Sequence, residues 1–292
     1  MNYDLFFRPT AKTPPCNDHR FTNFFEGREN YRVEDGRADY VNENTGIFFS
    51  FEFDEGLEDP YGDPAAFPVC FSMNYLCPHV FGLEAEPEVR AFVEAFKLEV
   101  EDPQVGGMGR GVYSGESFYR GWARGNEMAL QLVLKDPPKA PIFTLPTARL
   151  EACWRWNFNR KEELSRVGEE VFVPRLLFVI IDGEVKSLVT WTDGAPSILP
   201  EADIVALVRM DLSLVEGAQE IVVLPFSEVE KGILQKFPIG DGPLRFWRLM
   251  YEEPPQTVVD FFTSFEAAPK RFEGISLGNI LNGELVRKFK IS

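Results

Sequence analysis

The spacing of apolar residues changes several times along the chain, and each change predicts an element. YDLFFR (3–8) is apolar and stops at Pro9, which predicts a short strand. In FTNFFEGREN (21–30), Phe21, Phe24 and Phe25 stand at i, i+3 and i+4, one face of a helix. ADYVN and GIFFSFEF flank ENT, and the turn residues Asn44 and Gly46 between β-rich arms predict a hairpin over 38–53. In its second arm Ile47, Phe49, Phe51 and Phe53 share one face, while Phe48, Ser50 and Glu52 share the other. One face therefore belongs to a core and the other is mixed. DEGLEDPYGDPAAF reads as a loop and FPVCFSMNYL (67–76) as a third strand. PEVRAFVEAFKLEV (87–100) reads as a helix with Pro87 at its first position and Val89, Phe92, Val93 and Phe96 as its apolar stripe. GGMGRG (106–111) reads as a flexible connection, and FYRGWARGNEMALQLVLK (118–135) as helical towards its end.

DPPKAP (136–141) is the linker candidate, because its prolines stop any regular element. A helix over ARLEACWRWNFNRKEELSRVG follows, ending at Gly168. VFVPRLLFVI and EVKSLVTW are joined by Asp182-Gly183, which suits a type I′ hairpin turn. DIVALVRM and EIVVLPF are further strands. SEVEKGILQKF reads as a helix with Ser227 as N-cap and Glu230 completing a capping box. TVVDFFTSFEAA (257–268) is another helix. Strands and helices mix without a βαβ repeat. The expectation is an α+β fold of antiparallel sheets with packed helices, in two tightly associated halves, 1–140 and 141–292.

Composition sharpens this picture. With 45% hydrophobic residues and 27 Phe in 292 positions, the chain has a packed core rather than a disordered composition. MNYDLFFRPTAK lacks the apolar stretch of a signal peptide. The longest apolar run, LLFVII (176–181), is too short for a membrane span of about 20 residues. A cytoplasmic protein is expected. The four cysteines, Cys16, Cys70, Cys77 and Cys153, are too scattered for a disulfide framework and read as reduced thiols.

Net charge is −16 and unevenly spread. Residues 1–140 hold 24 Asp and Glu against 13 Lys and Arg, and residues 141–292 hold 22 against 17. Within 34–89 there are 13 acids and one base, Arg37. A field of that sign repels nucleic acid and anionic lipid and attracts basic partners. The competing reading is an acidic surface that serves solubility alone.

Candidate chemistry is sparse. Cys16, His19, Cys77 and His79 supply the ligand types of a tetrahedral zinc site, but their spacings fit no standard finger. Buried thiols beside ordinary histidines is the preferred reading, and no metal is expected. Asp54, Glu55, Glu58, Asp59 and Asp63 offer oxygen ligands for Ca²⁺ without the order of an EF-hand. There is no G-x-S-x-G elbow, and a Cys–His nucleophile has no evident orienting group. GGMGRG matches neither nucleotide-binding glycine motif, so no cofactor is expected. CWRWNFNR (153–160) interleaves aromatics and arginines in a way that suits base stacking, but Trp154 and Phe158 at i, i+4 read better as a core stripe. This inventory favours a non-catalytic binding protein. The alternative is an enzyme with a carboxylate-lined cleft between the halves, acting on a cationic or carbohydrate substrate.

MNYDLFFRP, FTNFFEGRENY and ADYVNENTGIFFSFEF in the first half, with WRWNFNRKEEL and VFVPRLLFVIIDGEVKSLVTW in the second, resemble an uncharacterised myxobacterial protein family. Its members are identified as immunity proteins of bacterial polymorphic or contact-dependent toxins, swarming-inhibition systems among them. The shared blocks are turn glycines and strand aromatics and carry over no catalytic residue. The resemblance implies a toxin inhibitor that works by direct protein binding. A basic partner, the cognate toxin, would then meet Glu52, Asp54, Glu55, Glu58, Asp59 and Asp63, with Tyr61 as an aromatic anchor.

Overall fold

The computed structural model describes residues 1–59, 61–104, 106–135, 141–168, 170–213, 219–266 and 272–290. They form an α+β fold that divides into two compact units, Met1–Thr147 with Leu277–Ser292, and Ala148–Ser276.

The first unit opens with β1 (Asn2–Pro9) and α1 (Asp18–Phe25), followed by β2 (Tyr31–Glu34), β3 (Arg37–Asn42), β4 (Ile47–Phe53) and β5 (Val69–Asn74). Then come α2 (Val80–Phe96), β6 (Leu98–Asp102), β7 (Gly109–Gly111), α3 (Gly115–Lys135) and β8 (Phe143–Leu145). The first seven strands make one sheet, ordered β2-β3-β4-β5-β1-β6-β7 and antiparallel at every pairing. Alternation decides its two faces. Tyr3, Leu5, Phe7, Phe49, Phe51 and Phe71 are buried on one face, and the helices close over it with aromatic rings. Phe25 of α1 and Phe92 of α2 lie 5.0 and 5.1 Å from the Phe51 ring, and Phe118 of α3 lies 5.2 Å from Tyr3. Each such ring pair adds about 0.5–1.5 kcal/mol to the area term.

The expected 38–53 hairpin is present, with Asn42 opposite Ile47. The helix opened by Pro87 is not. α2 begins seven residues earlier at Val80 and carries Pro87 in its interior, and Leu98–Asp102, expected in part as helix, is a strand. The early part of α2 buries Glu84 and Glu86 beside Val80, Phe81 and Ala85, so its inward face does not look apolar in sequence. Nor is the glycine stretch a free connection. Asp102 accepts hydrogen bonds from the backbone N–H of Gln104 and Met108, at 3.0 and 2.9 Å, and a Cβ on Gly107 would lie 2.1 Å from its carboxylate. Close approach to a buried acid, rather than mobility, explains that glycine.

α4 (Thr147–Val167) leads from Thr147 into the second unit, which goes on with β9 (Leu177–Ile181), β10 (Glu184–Thr192), β11 (Ser197–Pro200), β12 (Ile204–Arg209) and β13 (Glu220–Pro225). After these come α5 (Phe226–Gly232), β14 (Ile239–Gly240), β15 (Phe246–Leu249), α6 (Gln256–Thr263) and β16 (Glu273–Gly274). One sheet runs β13-β12-β10-β9-β16 and a smaller one β11-β15-β14. The Asp182-Gly183 hairpin forms as expected, with φ of 53° and 80° at the two turn residues. β10 and β12 pair in parallel, an exception to the antiparallel expectation. Two sequence-level expectations fail here. Ser227 lies inside α5, whose N-cap is Pro225, so no capping box forms and Glu230 instead pairs with Arg245 at 3.5 Å. The buried face of α4 is Leu150, Cys153, Trp156 and Asn157, whereas Phe158 is 48% exposed. Trp154 and Phe158 do meet, with tilted rings at 5.4 Å, but as a pair at the surface.

The chain then returns to the first unit. β17 (Ile280–Asn282) pairs in parallel with β8, and α7 (Gly283–Lys290) follows. The expected division at 140/141 is corrected in two respects. The boundary falls after Thr147, and the C-terminal segment belongs to the first unit because it completes the β8 pairing and caps Thr147 through Glu284. Most of the expected linker, 136–140, lies outside the described residues.

Candidate functional site

The acidic segment after β4 is not an unstructured loop. Asp54 N–H donates to Pro68 O at 3.0 Å, Ala65 N–H to Leu57 O at 2.8 Å, and Asp59 N–H to Asp63 O at 2.7 Å. Glu58 and Pro64 form an antiparallel bridge. These rungs make 54–59 and 61–68 the two arms of a narrow hairpin extension of the β4–β5 connection. Its tip is tied by Asp59, whose Oδ1 accepts from the N–H of Tyr61 at 2.8 Å and of Asp63 at 3.1 Å. Asp54 turns the base in the same way through Gly56 N–H, at 2.7 Å. Asx turns of this kind let a short polar side chain replace a backbone partner.

The expected site residues therefore divide by role. Glu55, Glu58 and Asp63 are exposed, and among the described residues their carboxylates make no ion pair or hydrogen bond. Asp54 is exposed and Asp59 half-buried, and both serve the shape of the hairpin. Glu52 is exposed on the outward face of β4, between Arg37 of β3 and Cys70 of β5 in register. Tyr61 is 68% exposed at the tip. Sequence reasoning missed the residue that steadies it. The Arg110 guanidinium of β7 lies 5.2 Å from the Tyr61 ring centre, and Arg110 is itself held by Glu101 at 2.6 Å. Glu101 is buried and also holds Arg8, at 3.1 Å. No local pattern signals this, because β7 lies far along the chain from the tip.

At the other end of β4 from this extension, Glu84 fixes the β3–β4 turn to α2. Its buried Oε1 accepts from Tyr40 Oη and Asn42 Nδ2, each at 2.8 Å, and from Thr45 Oγ1 at 3.1 Å. Burial, and after it the Glu84 charge, push the Tyr40 hydroxyl far above its ordinary range, so it remains a donor.

The candidate metal ligands are placed differently from what a zinc site needs. Among the described residues no group of three or more His, Cys, Asp or Glu side chains could hold a metal ion. His19 sits on α1 near Asn23, and His79 Nδ1 meets Asn282 Nδ2 at 2.8 Å, tying α2 to β17. Burial pushes the Cys70 and Cys77 thiols up to about 12 and the Cys16 and Cys153 thiols up to about 11. A thiol in that range carries little thiolate at neutral pH. Among the described residues no helix is long and apolar enough to cross a membrane.

No protein-family model, curated protein or solved structure matches the chain.

Proposed function

We propose that this chain is a non-catalytic binding protein that neutralises a basic protein partner, as an immunity protein neutralises its cognate toxin. The observation that carries the reading is the acidic hairpin extension. It presents Glu55, Glu58 and Asp63, uncommitted to any partner among the described residues, around an exposed Tyr61. Charge of one sign on such a surface steers an oppositely charged partner and fixes its register. The backbone rungs and the two Asx turns order the tip before binding, so association loses less conformational entropy there. A tyrosine at the centre of an acidic rim is the kind of residue that supplies interface energy.

The test is recovery of the partner with the tagged full chain from its native cell, at low and moderate salt. The expected result is one basic protein at near-stoichiometric yield, released as salt rises. Replacing Glu55, Glu58 and Asp63 together by Lys should weaken that complex at least about tenfold through slower association. Tyr61→Ala should weaken it by a comparable factor through faster dissociation. Recovery of no partner at either salt, or of one whose affinity ignores the charge reversals, would remove the basis of the reading.

A further inference from the structure

The second unit contains a pocket of about 360 Å³ lined by three arginines, two acids and aromatic rings. α4 supplies one wall through Arg155, Trp156 and Arg166. Arg155 and Arg166 are eleven residues apart, three helical turns, and so share a face. β15 supplies the facing wall through Phe246 and Arg248, and Met250 continues it at the two-residue period of a strand. The Trp156 indole is held by donating Nε1–H to Pro174 O at 2.9 Å, and its ring lies 5.8 Å from Phe246. The interior is thus rigid and aromatic, and its size falls within the usual range for small-molecule sites.

The charges are not equivalent. Arg166 is bound to Glu162 and Glu163, each at 2.6 Å, and Arg155 to Glu151 at 2.6 Å. Glu163 also lines the pocket, but Arg166 neutralises it. Arg248 lies over the Phe246 ring at 5.6 Å, and among the described residues its guanidinium has no carboxylate partner and no hydrogen bond. Among the described residues Asp241 is the one lining acid without an arginine bound to it, so once the paired charges are set aside Arg248 is the cation left to meet an anion in the pocket. A guanidinium steadied on a ring and left without an anion is a ready carboxylate receptor, since its fork matches two oxygens.

We infer that this pocket binds a small aromatic carboxylate, with its anion on Arg248 and its ring against Trp156, Phe246 and Met250. The site is separate from the acidic hairpin and does not depend on the partner-binding reading. The experiment is calorimetric titration of the full chain with 1-naphthoate, and with the neutral 1-naphthamide as its uncharged counterpart. Naphthoate should saturate one site per chain at submillimolar concentration and weaken as salt rises. Naphthamide should bind about tenfold more weakly, the factor set by one lost charge-assisted contact. Arg248→Gln should lower naphthoate affinity by a similar factor without changing naphthamide binding. Arg248 is exposed, so this variant should keep the melting profile of the parent. Met250→Ala should weaken both compounds. Equal affinity for acid and amide, unchanged naphthoate binding by Arg248→Gln, or no saturable heat with millimolar naphthoate would each overturn the assignment.

Discussion

Replacing Glu84 by Ala tests how the β3–β4 turn is held against α2. The side chain is 3% exposed, and Tyr40, Asn42 and Thr45, which donate to it, are 3–5% exposed. Removing the carboxylate leaves three buried donors without that acceptor. Each such loss costs about 1–3 kcal/mol, which bounds the gross effect at about 3–9 kcal/mol. Two effects offset it. The variant no longer buries a carboxylate, itself a penalty of several kcal/mol, and water can enter the vacated volume and satisfy some donors. The net expectation is about 3–4 kcal/mol, a large part of the about 5–15 kcal/mol typical of a folded chain. Glu84→Gln keeps the volume and an acceptor oxygen, so it should cost about 1–2 kcal/mol. Urea unfolding gives the two values, and hydrogen-exchange mass spectrometry on residues 37–53 locates the change. Exchange of the β3–β4 amides should accelerate more than exchange across β9–β10. An Ala variant within about 0.5 kcal/mol of the parent, or a Gln variant as damaged as Ala, would refute the reasoning, because both follow from the three donors.

Two further outcomes follow from close contacts. A Cβ at Gly125 on α3 would lie 2.1 Å from the buried Tyr75 ring, so Gly125→Ala should destabilise by about 1–3 kcal/mol in a thermal melt despite its better helix propensity, and a rise in Tm would contradict the packing. Hydrogen bonds from Thr147, first from its hydroxyl and then from its backbone N–H, lower the Glu284 carboxyl below its ordinary value. A depressed folded-state value means that this stabilisation is present above the unfolded value of about 4.3 and is lost as pH falls through the folded one. Glu284→Gln should therefore narrow its stability difference from the parent as pH drops below about 4, and a difference that widens there would show the sign to be wrong.

Much of the architecture was legible because its causes are local. Alternation over 47–53 placed Ile47, Phe49 and Phe51 on the core face, and Asp182-Gly183 set its hairpin by backbone preference alone. The acidic residues were legible as exposed, since charge without a partner stays in water. What failed depended on partners distant in sequence. Glu84 and Glu86 made the start of α2 look like surface because Tyr40 and Tyr113, which donate to them, lie far from them in sequence. Ser227 had the right neighbours for a cap, yet β13 continued to Pro225 and moved the helix start ahead of it.

The sequence by itself determined the α+β class, the two principal hairpins, the helical stretch that became α4 and the sign of the charge. All but the charge depend on the order of residues within about twenty positions, and the charge depends on composition alone. Only the tertiary structure decided that residues 54–59 and 61–68 form a laddered hairpin, that Arg110 stands against Tyr61, and that the C-terminal strand rejoins β8. It alone brought Trp156 and Arg166 of α4 together with Arg248 of β15 in one pocket. The physical reason is common to all of these. Propensity and periodicity act along the chain, whereas a side chain's partner, its burial and the shape of a cavity are set by segments that meet only when the core has closed.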